Sequence, residues 1–248
     1  MIRIYSKKEI EIMKKGGKIL AKILKKVAQE VKVGNTTNYL NKIAEDLVFK
    51  YGAKPSFKGY MGFPKSLCVS INEQIVHGVP GNRIIKDKDI VGLDLGIRYK
   101  GYCTDMALTV IVGNPDKKVK KLVGITQEAL EMSIEQLKQG NYLRDIGAVI
   151  QKHVEKNGFN VVRELVGHGV GKNVHEDPQV LNYAEGGKGI ELKQGMVLAI
   201  EPMVVMGDWL VEKDKDGFCY KTRDNSLSAH FEHTIAVGKD GGIILTKN

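Results

Sequence analysis

The sequence predicts an α/β (α+β) fold in which a pseudo-twofold antiparallel sheet is covered by helices. Three observations carry that prediction. Residues 90–112 and 195–238 each read as two apolar strands folded back on one another, the first around Tyr99-Lys100 and the second around Asp216-Gly217. Two stretches of helical periodicity precede each hairpin. The halves also echo one another: IKDKDIVGLD (85–94) aligns with LKQGMVLAIE (192–201), and TDMALTV (104–110) with FEHTIAV (231–237). The expected organisation is a single domain, 1–248, built from halves of about 1–114 and 115–248, with no N-terminal extension.

In chain order, Ser6 followed by Glu9 forms a capping box that opens a helix. Ile10, Met13, Ile19, Ile23 and Val27 share one face of it, and Gly34 lies just beyond its end. Thr36 and Thr37 cap a second helix through Leu40, Ile43, Leu47 and Val48, stopped by Gly52. Residues 55–66 are rich in aromatics, glycine and proline and read as a loop, followed by a strand from Leu67 to Ile71. Phe57, Tyr60, Phe63 and Cys68 can line an apolar pocket or plug the core beneath this loop. His77 follows an apolar run; a lone histidine there is often a hydrogen-bonded structural residue. After the first hairpin, Asn114-Pro115-Asp116 starts a helix to about Gln139, and Asn141 opens another that ends near Gly158.

Composition narrows the function classes. The 248 residues are 42% hydrophobic and 27% charged, ordinary for a globular protein. No apolar run reaches the ~18 residues of a membrane span, and the charged N-terminus lacks a signal-peptide core. Cys68, Cys103 and Cys219 form no CxxC pair, which suggests reduced thiols in a cytoplasmic compartment. The net charge of +9 is spread along the chain. It reads as a solvated lysine-rich surface or as weak attraction to a polyanion such as ribosomal RNA, and no motif supports specific DNA binding.

Each predicted strand pair is interrupted by two acids: Asp94 and Asp105 in the first, Glu201 and Glu232 in the second. If the first turn centres between Tyr99 and Lys100, Asp94 and Asp105 sit directly opposite one another; the same test pairs Glu201 with Glu232. Buried carboxylates that close repel and resist desolvation, so they need a shared proton or cation. Between the hairpins lies GHGVGKNVHEDP (167–178). Its glycines are not a dinucleotide fingerprint, because no βαβ phrase surrounds them, and HExxH is absent. Four acids converging beside an imidazole suit two divalent ions (Co, Mn, Fe or Zn) rather than a closed structural zinc site. Such a pair can activate a water for attack on a carbonyl.

The ordered set NEQIVHGVP, GLDLG, GYCTDMALT, GHGVG with HEDP, AIEPM and FEHTIAV resembles the type I methionine aminopeptidases of the pita-bread metallopeptidase superfamily, across essentially the whole chain. The resemblance implies a pita-bread fold with a dinuclear metal site at its centre. It implies that Asp94 chelates the first metal, that Asp105 and Glu232 bridge both, and that His168 and Glu201 bind the second. Glu201 would also accept the proton of the attacking water. His175 would donate to the scissile carbonyl and His77 would contact the second residue's peptide nitrogen. The methionine side chain would enter a pocket of Tyr60, Phe63, Cys68 and Phe218. The substrates would be nascent peptide N-termini with a small second residue, and a monomer is expected. Val174 and Phe218 stand where members often carry Phe and Trp, and Phe57 where some carry Cys, which alters pocket shape. Two other readings compete: a prolidase or aminopeptidase P of the same fold, and a non-catalytic ribosome-associated protein on this scaffold.

Overall fold

A computed structural model describes residues 2–187 and 189–247. The first half opens with α1 (Lys7–Gln29) and α2 (Thr37–Lys50). The predicted capping box forms at α1: Glu9 Oε2 accepts from Ser6 N at 2.9 Å, and Ser6 Oγ accepts from Glu9 N. Its buried face carries Met13, Leu20, Ile23, Leu24 and Val27. Gly17 lets this helix approach closely, since a Cβ there would sit 2.2 Å from the Leu245 carbonyl oxygen. Thr36 Oγ1 caps α2 through Tyr39 N, as expected.

In the second half, α3 (Lys117–Ile134) and α4 (Leu143–Lys156) occupy the equivalent place. Here two boundaries differ from the sequence expectation. α3 stops before Gln139, because the chain turns there to bond with the sheet: Gln139 N donates to Gly238 O at 3.1 Å. Asn141 does not open α4; its amide donates back to Gln136 O at 3.0 Å. Tyr142 takes the cap position, and Asp145 accepts from its N–H at 2.8 Å.

The first-half strands are β1 (Lys54–Pro55), β2 (Leu67–Ile71), β3 (Gln74–Val76), β4 (Ile90–Tyr99) and β5 (Tyr102–Ile111). The second half adds β6 (Asn160–Val161), β7 (Gly167–Gly169), β8 (Glu176–Val180), β9 (Val197–Ile200) and β10 (Met203–Val205). It continues with β11 (Val211–Lys213), β12 (Tyr220–Thr222), β13 (Ser228–His230), β14 (Glu232–Val237) and β15 (Gly242–Ile244). Among the described residues, nine strands form one sheet ordered β1-β4-β5-β14-β9-β7-β8, with β2 also on β4 and β15 on β14. In this sheet the halves join where β14 pairs β5. α1 and α2 bury Leu24 and Leu40 with Leu93 and Leu95 of β4; α3 and α4 bury Leu122 and Ile150 with Leu198 and Ile235.

Register corrects one expectation. The β4–β5 turn is Lys100-Gly101, with φ of 48° and 86°, so Tyr99 faces Tyr102 across the ladder. Two consecutive left-handed residues make the primed turn that matches strand twist, and Gly101 supplies one of them freely. Asp94 therefore pairs with Ala107 and Asp105 with Gly96. The two acids are diagonal rather than opposed. The slip is two residues, so both stay on one face.

The second hairpin keeps the expected register along its whole length: His233 pairs Ile200, Met203 pairs His230 and Val211 pairs Thr222. It is not one ribbon, however. It leaves the large sheet after Ile200, joins β6 as β10–β13, and ends as β11–β12 against β3. Asn225, between β12 and β13, takes a left-handed φ of 58°, and the register is unchanged on either side of it. Ladder bonds there give way to side-chain bonds, Gly207 N to Ser226 Oγ and Asp208 N to Asp224 Oδ2.

Candidate active site

The sheet itself brings the acids together. Ala107 of β5 pairs with Asp94 on one side and with Glu232 of β14 on the other. Glu201 lies one residue past the end of β9, next in register after the His233–Ile200 pair. His168 of β7 pairs with Ala199, which pairs with Thr234. Paired residues share a face, so all five side chains point to the same side of the sheet. Ligand atoms of Asp105, His168 and Glu232 lie within 4.8 Å of one another. His168 Nε2 is 3.6 Å from Glu201 Oε1.

His168 is oriented for coordination. Its Nδ1 is 2.9 Å from Gly169 O, and a carbonyl can only accept, so Nδ1 carries the proton. Nε2 then presents a lone pair to the acids. Burial pushes the imidazole down to about 3, which keeps it neutral.

The acids are far from their ordinary state. Burial, then the neighbouring Asp105 and Glu201 charges, raises Asp94 well above the carboxylate range. Burial and Glu201 push Asp105 up to about 7, and burial pushes Glu201 up to about 8. Glu232 is raised well above its usual value by burial and by Asp105. Among the described residues, Asp94 Oδ1 and Glu232 Oε1 are buried without a hydrogen-bond partner. Orphaned, mutually repelling oxygens beside an imidazole lone pair are a donor set that fits divalent cations.

These groups form the floor of a cavity of about 340 Å³. Its walls include every residue expected of the pocket, namely Tyr60, Phe63, Cys68 and Phe218, together with Phe57, His77 and His175. Phe63 and Phe218 meet edge to face at 5.5 Å. His175 meets His168 edge to face at 4.3 Å between ring centroids, and its Nδ1 is 3.2 Å from Tyr60 Oη. Val174, two places before Glu176 on the same loop, is buried against the aromatic cluster. His77 has a φ of 59°, a left-handed conformation that costs a non-glycine residue and recurs at functional sites. Burial pushes its imidazole down to about 4.

Two features escaped the sequence reading. Tyr220 and Lys213 of the β11–β12 arm also line the cavity, because that arm folds over against β3. His230 is buried with its Nε2 3.5 Å from Glu201 Oε2. The signal was its place two residues before Glu232, on the same strand face.

The profile of metallopeptidase family M24 matches residues 11–239. The chain belongs to metallopeptidase family M24. Among curated members, the methionine aminopeptidase of Clostridium perfringens is 48% identical over 246 residues, covering 99% of both chains. Methionine aminopeptidase 1 of Bacillus subtilis is 46% identical over all of both. The solved methionine aminopeptidase of Thermotoga maritima superposes with a TM-score of 0.98 at 46% identity, covering 100% of each chain. A prolidase structure from Pyrococcus horikoshii gives 0.79 at 29% identity, and the match covers 63% of that longer chain. The architecture is thus the pita-bread fold of this family, with an Asp, His and Glu group able to hold metal.

Proposed function

We propose that this chain is a metallo-aminopeptidase that removes the initiator methionine from nascent polypeptides whose second residue is small. One observation carries the reading: a single cavity joins the acid cluster to an aromatic and thiol wall, in a chain that aligns end to end with methionine aminopeptidases. In this reading two divalent ions, of Co, Mn, Fe or Zn, are held by five side chains. Asp94, Asp105, His168, Glu201 and Glu232 would hold them. Such ions neutralise the carboxylates and lower the pKa of water at the site.

The chain's own groups supply the rest. Glu201 accepts the proton of the attacking water and returns it to the leaving amine. If Tyr60 Oη donates to His175 Nδ1, the His175 Nε2–H is free to donate to the scissile carbonyl as negative charge builds on it. His77, held neutral by burial, meets the peptide nitrogen of the second residue. The methionine thioether packs between Tyr60, Phe63, Cys68 and Phe218, a polarizable fit to aromatic edges. A net charge of +9 supports weak association with the ribosome, and three buried free thiols suit a reducing, cytoplasmic setting. Among the described residues, no helix is long and apolar enough to cross a membrane.

The test is methionine release from Met-Ala-Ser, with and without a chelator, beside an Xaa-Pro dipeptide. Turnover of Met-Ala-Ser that the chelator abolishes is expected. Chelator-insensitive turnover removes the metal reading, and turnover of the Xaa-Pro substrate alone makes this a prolidase.

A further inference from the structure

We propose that His230 is a positioning residue whose Nε2–H holds the carboxylate of Glu201 in its working orientation. The proposal deepens the aminopeptidase reading and rests on it. The two Glu201 oxygens are divided between two imidazoles: Oε1 lies 3.6 Å from His168 Nε2 and Oε2 lies 3.5 Å from His230 Nε2. The imidazoles are not equivalent. The His168 proton is committed to Gly169 O, so its Nε2 offers a lone pair and cannot donate to Glu201. His230 Nε2 is buried with no hydrogen-bond partner among the described residues, and Glu201 Oε2 is the acceptor it faces. A buried polar atom without a partner is costly, so a small shortening of this separation is favoured.

The backbone fixes His230 for this task. Its N–H donates to Thr109 Oγ1 at 3.0 Å, and that hydroxyl donates back to His230 O at 2.7 Å. Met203 pairs with it across β10–β13, two residues beyond Glu201 and in the same register. His230 thus approaches Glu201 from the side away from His168. It engages one oxygen and leaves the other facing His168 and the remaining acids. Glu201 itself has just left β9 and has no ladder partner to fix its side chain.

Two substitutions separate this role from packing. His230→Leu keeps volume and loses the donor; His230→Gln keeps an amide donor near the same place. Their kcat and KM on Met-Ala-Ser and their calorimetric Co(II) affinity are measured against the parent. His230→Leu is expected to lower kcat at least tenfold with KM within twofold, and to weaken Co(II) binding about tenfold, the usual effect of losing a partner that orients a ligand. His230→Gln is expected to recover both to within about threefold. Leu indistinguishable from the parent in both readouts overturns the proposal, as does Gln no better than Leu, which would make the imidazole itself a ligand or a filler. Should Leu not fold, His230→Ala replaces it under the same criteria. If the parent fails to turn over Met-Ala-Ser, the aminopeptidase reading falls, while the Co(II) isotherms still decide the His230–Glu201 interaction.

Discussion

Glu201 follows the last ladder residue of β9, so its backbone turns away while its carboxylate reaches back between His168 and His230. Burial of this carboxylate lifts it to about 8, and the proposed function gives it the proton of the attacking water. Glu201→Gln preserves shape and removes that capacity. Methionine release should fall at least ~100-fold while the circular-dichroism melt stays near the parent's. A second residue-scale effect lies at Cys219, between the cavity-lining Phe218 and Tyr220. Burial, then Asp216 and Asp214, pushes the Cys219 thiol up to about 12. An unfolded thiol ionises near ~8.5, so between these values the folded state holds a proton that the unfolded state has lost. Stability is therefore complete below the lower value and falls as pH rises towards the upper one. Urea midpoints should drop from pH 8.5 to 10.5 less steeply in Cys219→Ala than in the parent, and equal slopes would show that another group carries the dependence.

At the scale of elements, the β4–β5 hairpin and the loop before β8 each make a measurable claim. Lys100 occupies the first left-handed position of a primed turn, where a lysine Cβ is strained and asparagine is accommodated. Lys100→Asn should raise stability by about 0.5–1 kcal/mol in urea unfolding without changing turnover, the turn being remote from the cavity. The loop that carries His175 is latched to the segment before α1: Tyr5 Oη donates to Glu176 Oε2 at 2.7 Å and accepts from Lys172 N at 2.9 Å. Tyr5→Phe should cut kcat three- to tenfold in the parent and have no further effect in a His175→Ala background, while lowering the melting temperature equally in both. Additive losses of activity would mean that Tyr5 acts by another route. These two elements also mark what could be read in advance. Alternation and paired acids were enough to place Asp94, Asp105, Glu201 and Glu232 on one face, since a two-residue slip preserves the face. The slip itself was not legible, because only the φ values of Lys100 and Gly101 decide where the turn centres. Nor was the bending of the second hairpin through three sheets, which depends on β6 and β3 arriving from distant sequence.

Across the whole molecule, the halves meet within the large sheet along a short seam. β14 and β5 pair through Glu232–Ala107 and His233–Met106, and the ladder then yields to Thr234 Oγ1, which accepts from Asp105 N at 2.8 Å and donates to Asp105 O at 2.7 Å. Asp94 and Asp105 come from one half, and His168, Glu201 and Glu232 from the other. Cations held by this set would therefore cross-link the halves and offset the mutual repulsion of these buried acids. Binding to the folded state alone at about 100 times the dissociation constant adds about 2.7 kcal/mol, which for a chain of this size moves the melting temperature by about 5–10 °C. Chelation should lower the melting point by that amount, and Asp105→Asn gives the decisive comparison. On the proposed reading, neutralising one buried acid relieves the repulsion and also removes a metal ligand. The metal-free variant should thus melt at or above the metal-free parent, yet gain little when Co(II) or Mn(II) is added. If instead the variant is as metal-stabilised as the parent, Asp105 does not bridge the halves through an ion. If metal-free Asp105→Asn melts well below the metal-free parent, the acids are held together by shared protons and hydrogen bonds rather than strained against one another.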